Sequence, residues 1–96
     1  MVAARFLQRR GARVLARNVR SGPGEIDLLV TLAGRIVAVE VKTRIGDDPL
    51  LSMTEEKERR LGEAVSRLRP RPDRLDVVAV RFDAGGASIR WLRDVG

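Results

Sequence analysis

Three charged residues, Asp27, Glu40 and Lys42, lie inside two short segments that otherwise have the apolar, alternating composition of strands. The segments are Gly24–Val30 and Ile36–Lys42, and one tight turn separates them. An unpaired charge within an apolar strand is energetically costly unless it binds something. We therefore interpret the two carboxylates as candidate ligands and the lysine as a candidate catalytic group.

Side-chain alternation along the two segments predicts which residues meet. A hairpin centred on Ala33-Gly34 places Asp27 opposite Glu40, with their Cβ atoms roughly 4.5 to 5.5 Å apart. The same register places Glu25 opposite Lys42. A three-residue loop would shift this register by one residue, whereas a symmetric four-residue loop would preserve it. On the other face the register joins the apolar side chains in the pairs Ile26 with Val41, Leu28 with Val39 and Val30 with Val37.

Two carboxylates directly opposite each other destabilise a sheet, so the pair requires a cation. Mg²⁺ suits aspartate and glutamate oxygens, and it is often held by one or two carboxylates together with several waters. Lys42 lies two residues from Glu40 on the same face. It could orient a water or stabilise charge developing on a phosphate.

A structural interpretation of the same pattern stays open. Glu25 and Lys42 can form an ordinary cross-strand ion pair, and Lys42 can also neutralise Asp27 diagonally. The charged side chains would then be the solvated face of a half-buried antiparallel sheet. The pattern by itself does not choose between the two interpretations.

Asp27 followed by Glu40-Val41-Lys42 resembles the Asp, Glu-x-Lys signature of the restriction-endonuclease-like, or PD-(D/E)xK, nuclease superfamily. The chain resembles more closely the bacterial YraN-like family, which is related to archaeal Holliday-junction resolvases. That similarity runs over essentially the whole chain, and the segments that carry it are Gly24–Leu28, Val39–Arg44, Leu15–Asn18 and Leu75–Val80.

The resemblance implies an α/β fold, with a mixed sheet of four to five strands flanked by helices around a restriction-endonuclease-like core. It implies Asp27 and Glu40 as ligands of Mg²⁺ or Mn²⁺, with the Val41 backbone carbonyl as a third ligand and Glu25 in support. Lys42 is implied as the catalytic lysine. The expected activity is phosphodiester hydrolysis in DNA, including branched or junction DNA, by a protein that could act as a homodimer.

One departure from the family pattern lies at the start of the chain. Family members carry a Gly-Glu pair just ahead of the segment that matches Val2–Leu7, and this chain begins after that point. Met1 therefore marks either a shortened start or a site with one carboxylate fewer. The alternative function is a catalytically incomplete nucleic-acid-binding module of the same fold. A third hypothesis is a protein-interaction domain in which the ion pairs are structural.

Composition limits the available chemistry. The 96 residues are enough for one small domain, residues 1–96, and contain neither cysteine nor histidine. Disulfides, thiolate metal sites and histidine catalysis are thereby excluded, which leaves carboxylates, lysine and arginine. No apolar run is long enough to span a membrane, so we expect a cytoplasmic protein.

Positive charge is concentrated at the N-terminal end. The net charge is +6, and residues 1 to 24 contain six arginines and no acidic residue. Such a patch predicts binding of a nucleic-acid backbone. Arginine bias in the composition is the alternative explanation, because seventeen of the nineteen cations are arginine. The candidate backbone-binding residues are Arg9, Arg10, Arg13, Arg17, Arg20 and Arg44.

The elements that must position these residues follow from periodicity. A short helix that ends at Gly11 precedes a strand over residues 13 to 19, in which Val14, Ala16 and Asn18 share one side. Residues 45 to 53 are expected to form a loop around Asp47-Asp48-Pro49, where a turn is favoured over a second metal site.

A second helix follows, capped by Thr54 or Ser52. Its cations are interpreted as a solvated face, with contact between Arg60 and the nucleic acid as the alternative; they are Lys57, Arg59, Arg60 and Arg67. Its predicted buried stripe is Leu61, Ala64, Val65 and Leu68. Residues 75 to 82 read as a central strand covered on both faces, and a last strand ends near Trp91, which we expect in the core.

Overall fold

Five strands and two α-helices make up most of residues 1–95, the part of the chain described by the structure, which is a computed structural model. Gly96 and the side chain of Ser52 lie outside that part. A short 3₁₀ helix, Pro49–Ser52, precedes the second α-helix. In chain order the elements are α1 (Val2–Arg9), β1 (Arg13–Ser21), β2 (Gly24–Leu32), β3 (Arg35–Ile45), α2 (Glu55–Arg67), β4 (Arg74–Asp83) and β5 (Gly86–Leu92).

The strands form one mixed sheet in the order β1-β2-β3-β4-β5. Strands β3 and β4 are parallel, and all other neighbours are antiparallel. Parallel neighbours need a crossover connection, which α2 supplies here. The predicted fold class is confirmed. Among residues 1–95, no helix has both the length and the apolar character needed to cross a membrane.

Each face of the sheet is covered by one helix. On one face α1 buries Ala3, Ala4 and Leu7 against apolar side chains of β2, β3 and β4. On the other face α2 buries Leu61 and Ala64 against Ile26, Ala38 and Leu75. Full burial of a leucine or valine side chain contributes about 1.5 to 3 kcal/mol, so these two layers supply the main stabilisation.

The β2–β3 hairpin has the predicted two-residue turn. Ala33 and Gly34 both have positive φ, 51° and 78°, as a type I′ turn requires. The resulting ladder pairs Leu28 with Val39 and Leu32 with Arg35, which confirms the predicted register over this stretch. Ile26 differs from the prediction. It packs in the α2 layer rather than beside Leu28, and the change of side coincides with the end of the ladder at Leu28.

Strand β1 contains an irregularity that the alternation did not show. Its register against β2 shifts between Val14 and Ala16, so the intervening residue is an extra one in this strand. Further along, Asn18 has a left-handed backbone, φ 51°, and an exposed side chain, while Val19 is half-buried. The prediction that Val14, Ala16 and Asn18 share one side is therefore wrong. Val14 stands opposite Val30 but Ala16 opposite Leu29, because a bulge reverses the alternation downstream of it.

Helix α2 begins as predicted. The Thr54 hydroxyl accepts a hydrogen bond from the Lys57 N–H at 3.2 Å, and the helix ends before Pro70. In the preceding loop, Asp48 caps the 3₁₀ helix by accepting from the Leu50 N–H, and it pairs with Arg90. Both contacts lower the pKa of Asp48. Its role as a turn residue is thus confirmed.

Strand β4 is covered on both faces, as predicted, but it also contains a buried charge. Asp76 is fully inaccessible and binds the Arg74 guanidinium through two contacts of 2.9 and 3.1 Å. The Trp91 indole N–H donates to the same carboxylate at 2.9 Å, and the Trp91 ring meets the edge of Phe6. Trp91 is therefore a packing residue of the α1 face, as expected.

Candidate active site

The sheet opens between β2 and β3 at the position of the acidic residues. The ladder between these strands has Leu28 and Val39 as its last pair. In contrast, β2 stays paired with β1 as far as Gly24, and β3 stays paired with β4 as far as Ile45. The two pairs of strands therefore separate at Asp27, which leaves backbone groups of β3 available on one side.

Asp27 occupies this opening. Its Oδ2 atom accepts a hydrogen bond of 2.7 Å from the Val41 N–H, a donor on the edge of β3 that the ladder leaves free. Its carboxyl group also hydrogen-bonds to the side chain of Glu40. Asp27 and Glu40 do meet, but through their side chains and beyond the end of the ladder rather than as the predicted opposed ladder pair.

Glu40 is the most perturbed acid in the site. Its side chain is 15% exposed, and burial raises its pKa to about 8. The hydrogen bond to Asp27 and the charge of Asp27 act in the same direction. The Lys42 ammonium, 4.0 Å from Glu40 Oε1, and the Val41 backbone N–H lower the pKa of Glu40 without compensating for these effects. At neutral pH the two carboxyl groups therefore retain a proton that a nearby cation would displace.

A cavity of about 210 Å³ lies beside this pair, between the open end of the sheet and α2. The sequence brings α2 close to the start of β2. Gly24 has no side chain there, and a Cβ atom would lie 3.1 Å from the Ala64 Cβ. The Ser21 hydroxyl donates to the Ala64 carbonyl at 2.5 Å. The residues lining the cavity are Pro23, Gly24, Glu25, Glu40, Lys42, Met53, Lys57, Arg60 and Leu61.

Glu25 lies at the cavity but not where the hairpin register predicts it. Its ladder partner is Arg20 of β1, and the β2–β3 ladder does not extend to a pairing with Lys42. The expected Glu25–Lys42 cross-strand ion pair is also absent from the ion pairs of residues 1–95. The ion pair that Lys42 does form is with Glu40, at 4.0 Å.

The acidic side chains fit a small, hydrated cation. Across the described residues, no three acidic side chains come together as a metal-binding group, so the site rests on the Asp27–Glu40 pair. Mg²⁺ is commonly held by one or two carboxylates and retains several waters. The pKa of Glu40 is raised by burial and by the neighbouring Asp27, and a cation bound to both carboxyl groups would favour their charged forms. Asp27, Glu40 and the Val41 carbonyl are the groups that could hold the ion.

The candidate backbone-binding arginines are not gathered into one patch. The bulge in β1 places Arg13 opposite Thr31 but Arg17 opposite Leu28, which are on different faces of the sheet. Arg20 alone of the β1 arginines stands opposite a residue of the cavity, Glu25.

The other three candidates lie in separate places. Arg9 is exposed in the last turn of α1, and Arg10 lies over the Phe6 ring at 3.6 Å from its centroid. Arg44 is exposed on β3 two residues beyond Lys42, directly opposite Arg81 of β4. Alternation places Arg44 on the same face as Lys42.

Two further cations of the cavity, Lys57 and Arg60, were interpreted from the sequence as part of a solvated face. Both are indeed exposed, yet both line the cavity. The sequence does indicate on which side of α2 Lys57 lies. Lys57 precedes Leu61 by four residues, so it lies on the same side of the helix as the buried stripe.

Comparison with known sequences identifies the family of this chain. A family model described as Uncharacterised protein family UPF0102 matches residues 1–80. A UPF0102 protein from Ralstonia pickettii is 41% identical over 102 residues, covering 96% of this chain and 81% of the relative. One from Solibacter usitatus is 42% identical over 103 residues, covering 96% and 77%. One from Symbiobacterium thermophilum is 47% identical over 87 residues, covering 81% and 74%. The chain therefore belongs to the UPF0102, or YraN-like, family, as its motifs indicated.

Proposed function

We propose that this protein is a cytoplasmic, Mg²⁺- or Mn²⁺-dependent endonuclease that hydrolyses phosphodiester bonds in DNA. The observation that carries the proposal is the half-buried Asp27–Glu40 pair, which adjoins a cavity that also contains Lys42 and in which the pKa of Glu40 is raised. A structural ion pair would ordinarily be closer, whereas the Lys42 ammonium beside the two carboxyl groups lies 4.0 Å from Glu40.

Each residue of the site has a distinct role in this proposal. Asp27 and Glu40 hold the metal ion, and the N–H of Val41 fixes the Asp27 carboxylate in the opening. When bound, the ion supplies positive charge that stabilises negative charge on the phosphate. The Lys42 ammonium, 22% exposed, is positioned to orient the attacking water or to donate a hydrogen bond to a phosphate oxygen.

The substrate class follows from the resemblance to junction resolvases and is tested directly. Purified protein is incubated with branched, nicked and single-stranded DNA in Mg²⁺ or Mn²⁺. We expect cleavage, greatest on branched DNA, and its loss in the variants Asp27→Asn and Glu40→Gln. Glu63→Gln is the matched control, because Glu63 is an acid on α2 outside the cavity lining that pairs with Arg59. Cleavage that persists in both site variants contradicts the proposal.

A dimer is part of the same proposal, since a two-fold junction presents two equivalent strands to cut. Analytical ultracentrifugation with and without branched DNA measures the stoichiometry. Two chains per junction are expected, and a single chain per junction would remove this part of the proposal.

A second candidate function is a nucleic-acid-binding module without catalysis. The observation that favours it is the number of acids, because the acidic pair at the opening is not joined by a third acidic side chain within residues 1–95. This candidate predicts DNA binding that weakens with salt and is unchanged by a chelator. Binding that disappears when the metal is chelated excludes it.

A further inference from the structure

Lysine is rare in this chain, and its distribution is informative. Of nineteen cations, only Lys42 and Lys57 are lysines. They come from different elements, β3 and α2, yet both line the cavity that adjoins Glu40. A chain that uses arginine at its other basic positions therefore has lysine at both sides of this cavity, which Arg60 also lines.

Helix geometry explains how Lys57 reaches the cavity. Lys57, Leu61 and Ala64 follow one another at spacings of four and three residues, so they lie on one side of α2. Leu61 and Ala64 are buried against the sheet. Lys57 lies on the same side of α2, one turn before the buried residues. At that position β2 and β3 have separated, so Lys57 lines the cavity instead of packing on the sheet.

The cations around Lys57 differ from it in their partners. Arg59 pairs with Glu63 at 3.0 Å, and Arg60 pairs with Glu56 at 2.6 Å. For Lys57, no carboxylate oxygen of residues 1–95 lies within 4.0 Å of its ammonium. Its polar end is therefore available to an anion that enters the cavity.

We propose that Lys57 binds a phosphate group of a nucleic-acid backbone on the α2 wall of the cavity, while Lys42 acts on the β3 wall. This inference rests on the proposed nuclease function and names a second substrate-binding residue for it. A lysine ammonium is a compact charge with three freely directed donors, and it binds a phosphate oxygen as a point charge rather than through a planar fork as arginine does.

The experiment compares Lys57→Met with Arg59→Met, which removes the same charge from the same helix outside the cavity lining. Binding of fluorescein-labelled DNA is measured by anisotropy in EDTA over a series of salt concentrations. We expect Lys57→Met to weaken binding and to lower the slope of log affinity against log salt by about one unit. Arg59→Met should leave the slope unchanged. Circular dichroism and thermal melting confirm that both variants are folded.

The conservative variant Lys57→Arg tests the choice of side chain. It retains the charge, so the salt slope should stay at the value of the unmodified protein. If the unmodified protein cleaves DNA, Lys57→Arg should show a lower kcat/KM, because the planar guanidinium presents its donors differently.

The outcomes separate this inference from the proposed function. Equal salt slopes for Lys57→Met and Arg59→Met, or no DNA binding by the unmodified protein in EDTA, overturn the inference. The unmodified protein could cleave no DNA while Lys57→Met still lowers the slope of log affinity against log salt by about one unit. In that case the nuclease proposal fails and the phosphate-binding role of Lys57 stands.

Discussion

Two acidic groups on the same sheet, the buried Asp76 and the half-buried Asp27–Glu40 pair, are stabilised in opposite ways. Asp76 is inaccessible to solvent and receives four hydrogen bonds, two from Arg74, one from the Trp91 indole and one from the Asp94 N–H. Its charge is compensated by a guanidinium, and the bonds join β4, β5 and the residues that follow β5.

Within residues 1–95, Asp27 and Glu40 receive fewer hydrogen bonds, and the backbone donor that they have is the Val41 N–H. Asp27 accepts one backbone hydrogen bond, the two carboxyl groups bind each other, and the nearest cation to Glu40 is 4.0 Å away. Burial therefore raises the pKa of Glu40 to about 8.

The difference shows that burial of an acid does not by itself identify a functional site. Buried charges are ordinarily paired and fully hydrogen-bonded, and Asp76 follows that rule. The Asp27–Glu40 pair does not follow that rule, and it lies next to a cavity. Acids with a perturbed pKa beside a cavity are candidates for a functional site. The following predictions test this contrast between a structural and a functional acid.

Removal of Asp76 should have the largest effect on stability. Asp76→Ala leaves the Arg74 charge without its partner and removes the acceptor of the Trp91 indole. We expect a loss of about 3 to 5 kcal/mol in the free energy of unfolding, measured by urea denaturation. A loss below about 1 kcal/mol would show that Asp76 does not have the stabilising role that distinguishes it from the Asp27–Glu40 pair.

Metal binding at the Asp27–Glu40 pair should stabilise the folded protein. At pH 8, Mn²⁺ at a hundred times its dissociation constant should raise the free energy of unfolding by about 2.7 kcal/mol. The expected increase disappears in Asp27→Asn and persists in Asp83→Asn, an exposed acid at the end of β4. Differential scanning calorimetry measures it, and an equal increase in both variants would place the ion elsewhere.

Stability should also depend on pH through Glu40. Its pKa is raised from 4.5 to about 8, so between these values the folded protein binds more protons than the unfolded chain. Its contribution to stability is therefore full below pH 4.5 and is lost as the pH rises to 8.

Glu40→Gln should remove this loss, because the amide does not ionise. Without metal, it should be more stable than the unmodified protein at pH 8 by at least about 1 kcal/mol, and close to it at pH 5. Thermal melting at both values measures the effect, and Glu63→Gln is the control. A variant that is less stable at pH 8 would place Glu40 with Asp76 as a structural acid.

The smallest expected effect concerns arginines near the two acidic groups. Arg44 shares a face with Lys42, whereas Arg93 lies over the Trp91 ring at 3.9 Å from its centroid, next to Asp76. Arg44→Gln should lower the salt slope of DNA binding by about one unit, and Arg93→Gln should leave it unchanged. The reverse result would place the nucleic acid on the Asp76 side of the molecule.

Local pattern was sufficient for much of this fold. Strict alternation on both sides of Ala33-Gly34 determined the register of the hairpin, because a shift by one residue would expose its apolar face. The Thr54 cap and the apolar stripe likewise determined where α2 begins and which side it buries. These features depend on residues close in sequence, which is why they could be predicted.

Other features depend on contacts between distant segments. The sequence alone brought Asp27, Glu40 and Lys42 to one end of a hairpin and limited the available chemistry to carboxylates, lysine and arginine. Only the tertiary structure decided that β2 and β3 separate at Asp27, that Lys57 on α2 faces the resulting cavity, and that the bulge in β1 divides its arginines between two faces. The physical reason is that strand pairing and helix packing satisfy backbone groups and bury apolar surface across the whole chain. A site at the junction of three elements is therefore not encoded in any one of them.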